Sequence, residues 1–421
     1  MESQGSYPQR TPRKEGSDAL KNFYRLYSSL PRNERHLTRA RIDLDALAHN
    51  WRVVRDAVGR KNVRMIAVVK ADAYGHGAPA CVATLLAEGC DFFAVSCIDE
   101  AATVRATCRE EGAHADVLIL GYTPPSLVGE LSRLDVVQTL LSEEHANALS
   151  KVAAEEGVAL RTHIAVDTGM NRIGLAAYDE SSVRASAEAI HRIRALPGLS
   201  VEGMFTHFAR ADEEGGEEFT ARQAERYLAL RRTSEEMGDV IGFHHVCNSA
   251  ATARFPDLHF DGVRPGILLY GVLPTKKPAL PLRPVLRLTT AVMHLHTLLP
   301  GEGVGYGSTY RATGERRIAT LPIGYADGFL RDYSGAEVTV HSKAGSFRAP
   351  IVGRICMDQC MIDVTGHEVS VGDEITLFGL SPSDLADFAR RANTIEYECL
   401  CILSSRVPRS YITAEPEERH L

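Results

Sequence analysis

Eight short apolar runs, most followed by a stretch long enough for a crossover helix, predict an α/β chain that opens with a (β/α)8 barrel. A change of pattern after about Leu282, from spaced runs to closely set strands broken by Gly and Pro, predicts a second, mainly-β domain behind it. The length of 421 residues and a hydrophobic share of 44% suit two such cores.

The elements follow in order. Residues 1–36 mix Pro, Gly, Ser and both charge signs and read as a flexible leader, with "DALKNFYRLYSSL" able to form one short helix. "RARIDL" reads as a strand open to either domain, and "LDALAHNWRVVRDAV" as a helix. The eight runs are "MIAVVK", "FFAVS", "DVLILG", "VVQTLL", "RTHIAV", "VEGMFTHF", "GFHHVCN" and "GVRPGILLYG", which gives a barrel domain over 37–282. "LRLTTAVMHLHTL", "RRIATLPIGYA", "EVTVHS" and "DEITLFG" then mark a β domain over 283–413 with little helix, and 414–421 is left as a tail.

Composition narrows the function. A formal charge of -7 supplies no basic field for nucleic acid or an anionic membrane, which leaves small-molecule partners. No window approaches the ~18 apolar residues of a membrane span, and the N-terminus lacks the apolar core of a secretory signal, so the chain reads as cytoplasmic. The nine cysteines are scattered. Cys356 with Cys360, or Cys399 with Cys401, could ligate a metal, but packing is the simpler reading and no metal is expected.

In a (β/α)8 barrel the reactive groups gather at the C-terminal ends of the strands. Lys70 ends the first strand, His207 ends "VEGMFTH", Asn248 and Ser249 end "HHVCNS", and Arg264 lies in "DGVRPG". Singly each has an ordinary reading: a hydrogen-bonded histidine, a helix cap, a solvated lysine. Together they suit an aldehyde cofactor with an anionic tail. A strand-end lysine can form a Schiff base, while Ser249 and the backbone amides of Gly266 and Ile267 can hold a phosphate.

The motifs "VVKADAYGHG", "VDTGMNRIG", "EGMFTHFARAD", "CNSAA", "DGVRPGILLYG", "VGYGSTY", "LPIGYADG", "VGRICMDQ" and "SRVPR" occur in this order over about residues 37–413. In them the sequence resembles the alanine racemase family, whose enzymes use pyridoxal 5′-phosphate (PLP). The resemblance implies a PLP-binding barrel, a C-terminal β domain and a head-to-tail homodimer with shared active sites. It also implies an isomerase that interconverts L- and D-alanine and supplies D-alanine for cell-wall synthesis.

Residue by residue, it implies Lys70 as the Schiff-base lysine. Tyr74 meets the cofactor phosphate with Ser249, Gly266 and Ile267, and Gly75 and Gly77 let the chain turn away after the lysine. Asn248 joins the cofactor set. Arg264 faces the pyridine nitrogen and, as a permanent cation, keeps it unprotonated. Racemisation needs a proton group on each face of Cα. Lys70 is one, and Tyr306 of "VGYG", from the neighbouring subunit, is the other, with His207, linked to Arg264, as the phenol's neighbour. Arg172 and the backbone amide of Met357, with Asp358 beside it, receive the substrate carboxylate, and Tyr325 closes the side-chain pocket.

Three positions depart from the family. Ala165 stands where many members carry a carbamylated lysine, so a chloride or a water is expected to steady Arg172. Gly305 replaces a frequent serine, which should loosen the backbone before Tyr306. Ser405 replaces the tyrosine of "SYRVPR", a substrate-side position, which brings a serine or alanine/serine racemase into view as the alternative. A non-catalytic PLP-binding protein is the alternative of another class; it would normally lack the β domain. The decarboxylases of this fold type carry a different C-terminal pattern.

Overall fold

A computed structural model describes residues 36–60, 62–275 and 278–413. The leader expected over 1–36, with its short helix, lies outside them except for His36, as does the tail expected over 414–421.

The chain begins with strand β1 (Arg39–Asp43), and a helix, Leu44–Val58, follows it, capped by Asp43. The first apolar run is broken at Ile66 into β2 (Arg64–Met65) and β3 (Ala67–Val68). Then come β4 (Phe92–Val95), β5 (Asp116–Ile119), β6 (Val137–Leu140), β7 (Leu160–Asp167), the short β8 (Leu175–Ala176), β9 (Leu199–Phe205), β10 (Phe243–Cys247) and β11 (Gly262–Val263). Every residue of β4 and β6 is buried; β4, "FFAV", reads as a continuous apolar run because a parallel strand covered on both faces needs no polar side, whereas β6 buries Gln138 and Thr139.

These strands form one parallel sheet in the order β2-β11-β10-β9-β7-β6-β5-β4-β3, with β8 attached to β7. β2 pairs with β11 (Gly262↔Arg64) and β3 with β4 (Ala67↔Phe93), so the two halves of one run meet the sheet's two ends and close a barrel. Only Gly262–Val263 of "GVRPGILLYG" is extended. Pro265 has no N–H to continue the ladder, and Ile267–Tyr270 winds into a buried 3₁₀ turn.

Beyond the barrel lie β12 (Leu286–Ala291), β13 (His294–Leu298), β14 (Gly303–Val304), β15 (Tyr310–Arg311), β16 (Arg316–Leu321), β17 (Glu337–Ser342), β18 (Gly345–Pro350), β19 (Cys360–Asp363), β20 (Glu374–Phe378) and β21 (Arg409–Ile412). They form sheets in the orders β18-β17-β20-β12-β1-β21, β13-β16-β19 and β14-β15. "RARIDL" therefore joins the second domain: β1 is antiparallel to β12 (Ala40↔Leu288) and parallel to β21 (Ala40↔Arg409). Two helices, Pro382–Arg391 and Glu396–Cys401, stand where little helix is expected. A Ser381/Asp384 capping box starts the first, and Leu385, Phe388 and Ala389 bury one face of it. One contiguous buried cluster runs from Phe93 in the barrel to Phe378 in the second sheet.

Candidate active site

Lys70 lies two residues past the end of β3, at the barrel's C-terminal rim. The next four residues, Ala71 to Tyr74, have φ of 53, 54, 54 and 54° and form a left-handed helical turn without a single glycine. Each such residue costs about 1–2 kcal/mol, so the turn survives only where its surroundings hold it. Glu100 bridges the Ala71 and Ser96 N–H groups, each at 2.7 Å. Asp72 Oδ1 accepts Ala78 N–H at 2.7 Å, capping the next helix. The buried His76 ring donates from Nδ1 to the Ala73 and Tyr74 carbonyls, both at 2.9 Å.

Gly75 and Gly77, at φ 79° and 95°, carry the turn onward as expected, but the four residues before them begin it. The glycines also allow close approach: a Cβ on Gly75 would stand 2.4 Å from the Leu400 carbonyl oxygen, and one on Gly77 2.0 Å from the Tyr411 hydroxyl.

A cavity of about 610 Å³ opens beside this turn, and Lys70, Tyr74, Arg172, His207, Asn248, Ser249, Arg264 and Gly266 all line it. At one end, Ser249 Oγ accepts the Gly266 N–H at 2.8 Å, which leaves its own proton free to donate. A Cβ on Gly266 would lie 2.4 Å from the Tyr74 hydroxyl, which burial keeps protonated. Asn248 caps the helix Ser249–Arg254 through Ala251 N–H at 3.0 Å, and Ile267 is buried at the start of the 3₁₀ turn. Neutral hydroxyl donors in a cradle that only glycine admits fit a phosphate.

At the other end the charges are positive. Burial lowers the Lys70 ammonium, and the Arg172 cation lowers it further. Arg264 is fully enclosed, and burial brings it down to about 10, still a cation at neutral pH. It donates from Nη1 to His245 Nδ1 at 2.8 Å and from Nη2 to the Thr206 carbonyl at 2.7 Å. A bare His245 Nδ1 puts that ring's proton on Nε2, which reaches His163 Nδ1 at 3.0 Å. Burial drives His163 down to about 3 and His245 well below its ordinary value, so both rings are neutral.

The expected link between Arg264 and His207 is thus taken by His245. His207 feels Arg264 as a charge: burial first, then the Arg264, Arg172 and Lys70 cations, hold it neutral. His163 and His245 are absent from the residues expected at the site, although each is a buried histidine inside a barrel strand.

The remaining candidates lie elsewhere. Tyr306, Tyr325 and Met357 are 69%, 43% and 53% exposed, and none lines the cavity of its own chain. Asp358 is paired with Arg406 at 2.8 Å. Ser405 lines a separate hollow of about 330 Å³ that shares Cys401 with the main cavity. Gly305, at φ 64° and ψ -163°, occupies a region essentially reserved for glycine immediately before Tyr306. The cysteines are all free thiols.

A lysine at the rim of a parallel barrel shares one cavity with two arginines and an anion-sized cradle, an arrangement of the kind enzymes use. The family model for the alanine racemase N-terminal domain matches residues 42–274, and that for the C-terminal domain matches 285–411. Alanine racemase 1 of Clostridium acetobutylicum is 41% identical over 381 residues, covering 89% of this chain and 95% of the relative. Among solved structures, alanine racemase of Clostridium difficile 630 is 37% identical with a TM-score of 0.81, covering 90% of this chain and 96% of that one. The Bacillus anthracis alanine racemase with bound L-Ala-P is 36% identical with a TM-score of 0.79, over 90% and 95%. The chain belongs to the alanine racemase family.

Proposed function

We propose that the chain interconverts L- and D-alanine, with PLP held in the 610 Å³ cavity and each site completed by a second copy of the chain. The observation that carries this reading is the division of the candidate residues. Lys70, Arg172, Arg264 and the phosphate-like cradle share one cavity, whereas Tyr306, Tyr325 and Met357 are presented outward from the second domain. Large exposed apolar and aromatic groups of this kind fit a surface that another chain covers. The proposed division places the barrel over 37–282 and the β domain over 283–413, with β1 lent to the second sheet.

When bound, PLP supplies an aldehyde for the substrate amine and a ring that draws electron density from Cα. The chain's residues do the rest. Tyr74, Ser249, Gly266 and Ile267 hold the phosphate, with Asn248 bracing the helix that carries Ser249. Arg264, kept charged, donates to the ring nitrogen and so denies it a proton. Arg172 and Met357 N–H of the second copy bind the carboxylate, and Tyr325 of that copy bounds the methyl group. Lys70, its ammonium lowered by burial and Arg172, moves the proton on one face of Cα, and Tyr306 of the second copy moves it on the other.

Ser405 favours a second reading, an alanine/serine racemase. Its exposed hydroxymethyl group borders an open hollow next to Cys401, with room and a donor for a substrate hydroxyl. Among the described residues no helix is long and apolar enough to cross a membrane. The test is a racemisation panel over small L-amino acids with bound PLP measured alongside. Lys70→Ala should lose the covalent cofactor bond and nearly all turnover while keeping its fold, and normal turnover in cofactor-loaded Lys70→Ala overturns the assignment.

A further inference from the structure

We infer that Asp167 is the positioning residue for Arg172; the inference rests on the reading of Arg172 as the carboxylate-binding group. β7 ends at Asp167, and the loop Thr168–Gly174 doubles back onto its own strand. A Cβ on Gly174 would stand 2.8 Å from the Ala165 carbonyl carbon and oxygen and from the Asp167 nitrogen, so the loop lies directly on the strand and seals Ala165 to 1% exposure.

Arg172 projects from this loop to the cavity, and among the described residues nothing hydrogen-bonds or ion-pairs with its guanidinium. Its direction therefore depends on the loop backbone. One buried carboxylate holds that backbone: Asp167 Oδ1 accepts the N–H groups of Gly169 at 2.9 Å and Asn171 at 3.0 Å, and Oδ2 accepts the Tyr178 hydroxyl at 2.8 Å. Asn171, immediately before Arg172, sits at φ 56°, a left-handed conformation that Asn tolerates better than most residues but that still costs more than in glycine.

The loop's first residue is anchored separately, because Arg226 donates to the Thr168 carbonyl at 2.9 Å and Gln223 to Thr168 Oγ1 at 3.1 Å. Loss of the Asp167 carboxylate thus frees residues 169–172 while the loop stays attached at its start. The aim of the guanidinium is what changes, and the cofactor cradle at the other end of the cavity shares none of these bonds.

The experiment uses the holoenzyme and propionate, a three-carbon carboxylate with no amine, which reads the carboxylate site without reacting with the cofactor. Asp167→Ala should raise the propionate inhibition constant and the alanine KM about tenfold, change kcat less than KM, and leave PLP affinity within about twofold. Asp167→Asn keeps an acceptor for both amides and should recover most of the loss. If Asp167→Ala fails to fold, Tyr178→Phe removes the hydroxyl shared between Asp167 Oδ2 and Asn171 Oδ1 but keeps both amide bonds to Oδ1, and should give a smaller rise, about threefold. The inference is overturned if propionate inhibition stays within twofold of wild type in the folded variants, or if PLP binding falls in parallel with it. A wild type that neither racemises alanine nor binds propionate refutes the reading of Arg172 itself, whereas a normal wild type with unaffected variants refutes only the role of Asp167.

Discussion

Alanine at Gly75 separates the two demands that the turn after Lys70 places on its glycines. Gly75 sits at φ 79°, and its Cβ would meet the Leu400 carbonyl oxygen at 2.4 Å and carbon at 3.2 Å; Gly89, at φ 85°, has nothing within 4 Å. A left-handed alanine costs about 1–2 kcal/mol, partly offset by about 0.4–1 kcal/mol from a less flexible unfolded chain. Gly89→Ala should therefore cost about 1 kcal/mol. Gly75→Ala adds overlap with a backbone oxygen, relieved only if the helix Glu396–Cys401 backs away, and overpacking of that kind costs about 1–3 kcal/mol more. Tyr397 and Cys401 of that helix line the cavity, so PLP affinity should fall with stability in Gly75→Ala and stay unchanged in Gly89→Ala. Urea midpoints and a PLP titration of the two apoproteins read both effects. Equal midpoints and equal PLP affinity in the two variants would refute the close-approach argument.

Mixed Lys70→Ala and Tyr306→Phe chains should recover about a quarter of wild-type activity, since half the dimers are mixed and half their sites intact; no recovery despite proven subunit exchange would place both residues in one chain's site. Ser405→Tyr should lower the serine-to-alanine ratio of kcat/KM about tenfold, and an unchanged ratio sinks the second reading. His76 and His163 are buried and pushed down to about 4 and about 3. Below pH 6.5 the unfolded chain binds protons that these folded rings refuse, so stability is level above pH 6.5 and falls as the pH drops from 6.5 towards 4. By pH 5 each ring should cost about 2 kcal/mol. A Tm that does not move between pH 7 and pH 5 contradicts this, and a Gln at position 76 should flatten the slope.

The barrel was readable because strands buried on both faces leave uninterrupted apolar runs, as "FFAV" does. β1 was readable as a strand but not as a member of either sheet: Ala40 and Ile42 announce one buried face without naming what covers it. The turn after Lys70 was legible from Gly75 and Gly77, but not its left-handed start, because in "ADAY" only Asp72 tolerates positive φ readily and the groups that hold it include Glu100, 29 residues beyond Ala71. The reactive residues were legible as motifs, but not that His245, in the middle of β10, meets Arg264 rather than His207, just past β9, since that depends on how the strands are staggered. The helix at Pro382–Arg391 carried an ordinary start signal and helical spacing, hidden by the β-rich sequence around it.

The pairing of β1 bears on how the chain is made. Ala40 is synthesised early, but its partner Arg409 follows about 370 residues later, which at about 5–20 residues per second is a wait of roughly 20–70 s on the ribosome. The barrel strands and β12 are all available well before that, so the barrel can close and β12 can cover one edge of β1 while the other edge stays open. Unpaired edges of this kind recruit other chains. A chain ending at Leu282 would keep both edges open for good, and expressed alone it should aggregate unless residues 39–43 are removed with the second domain.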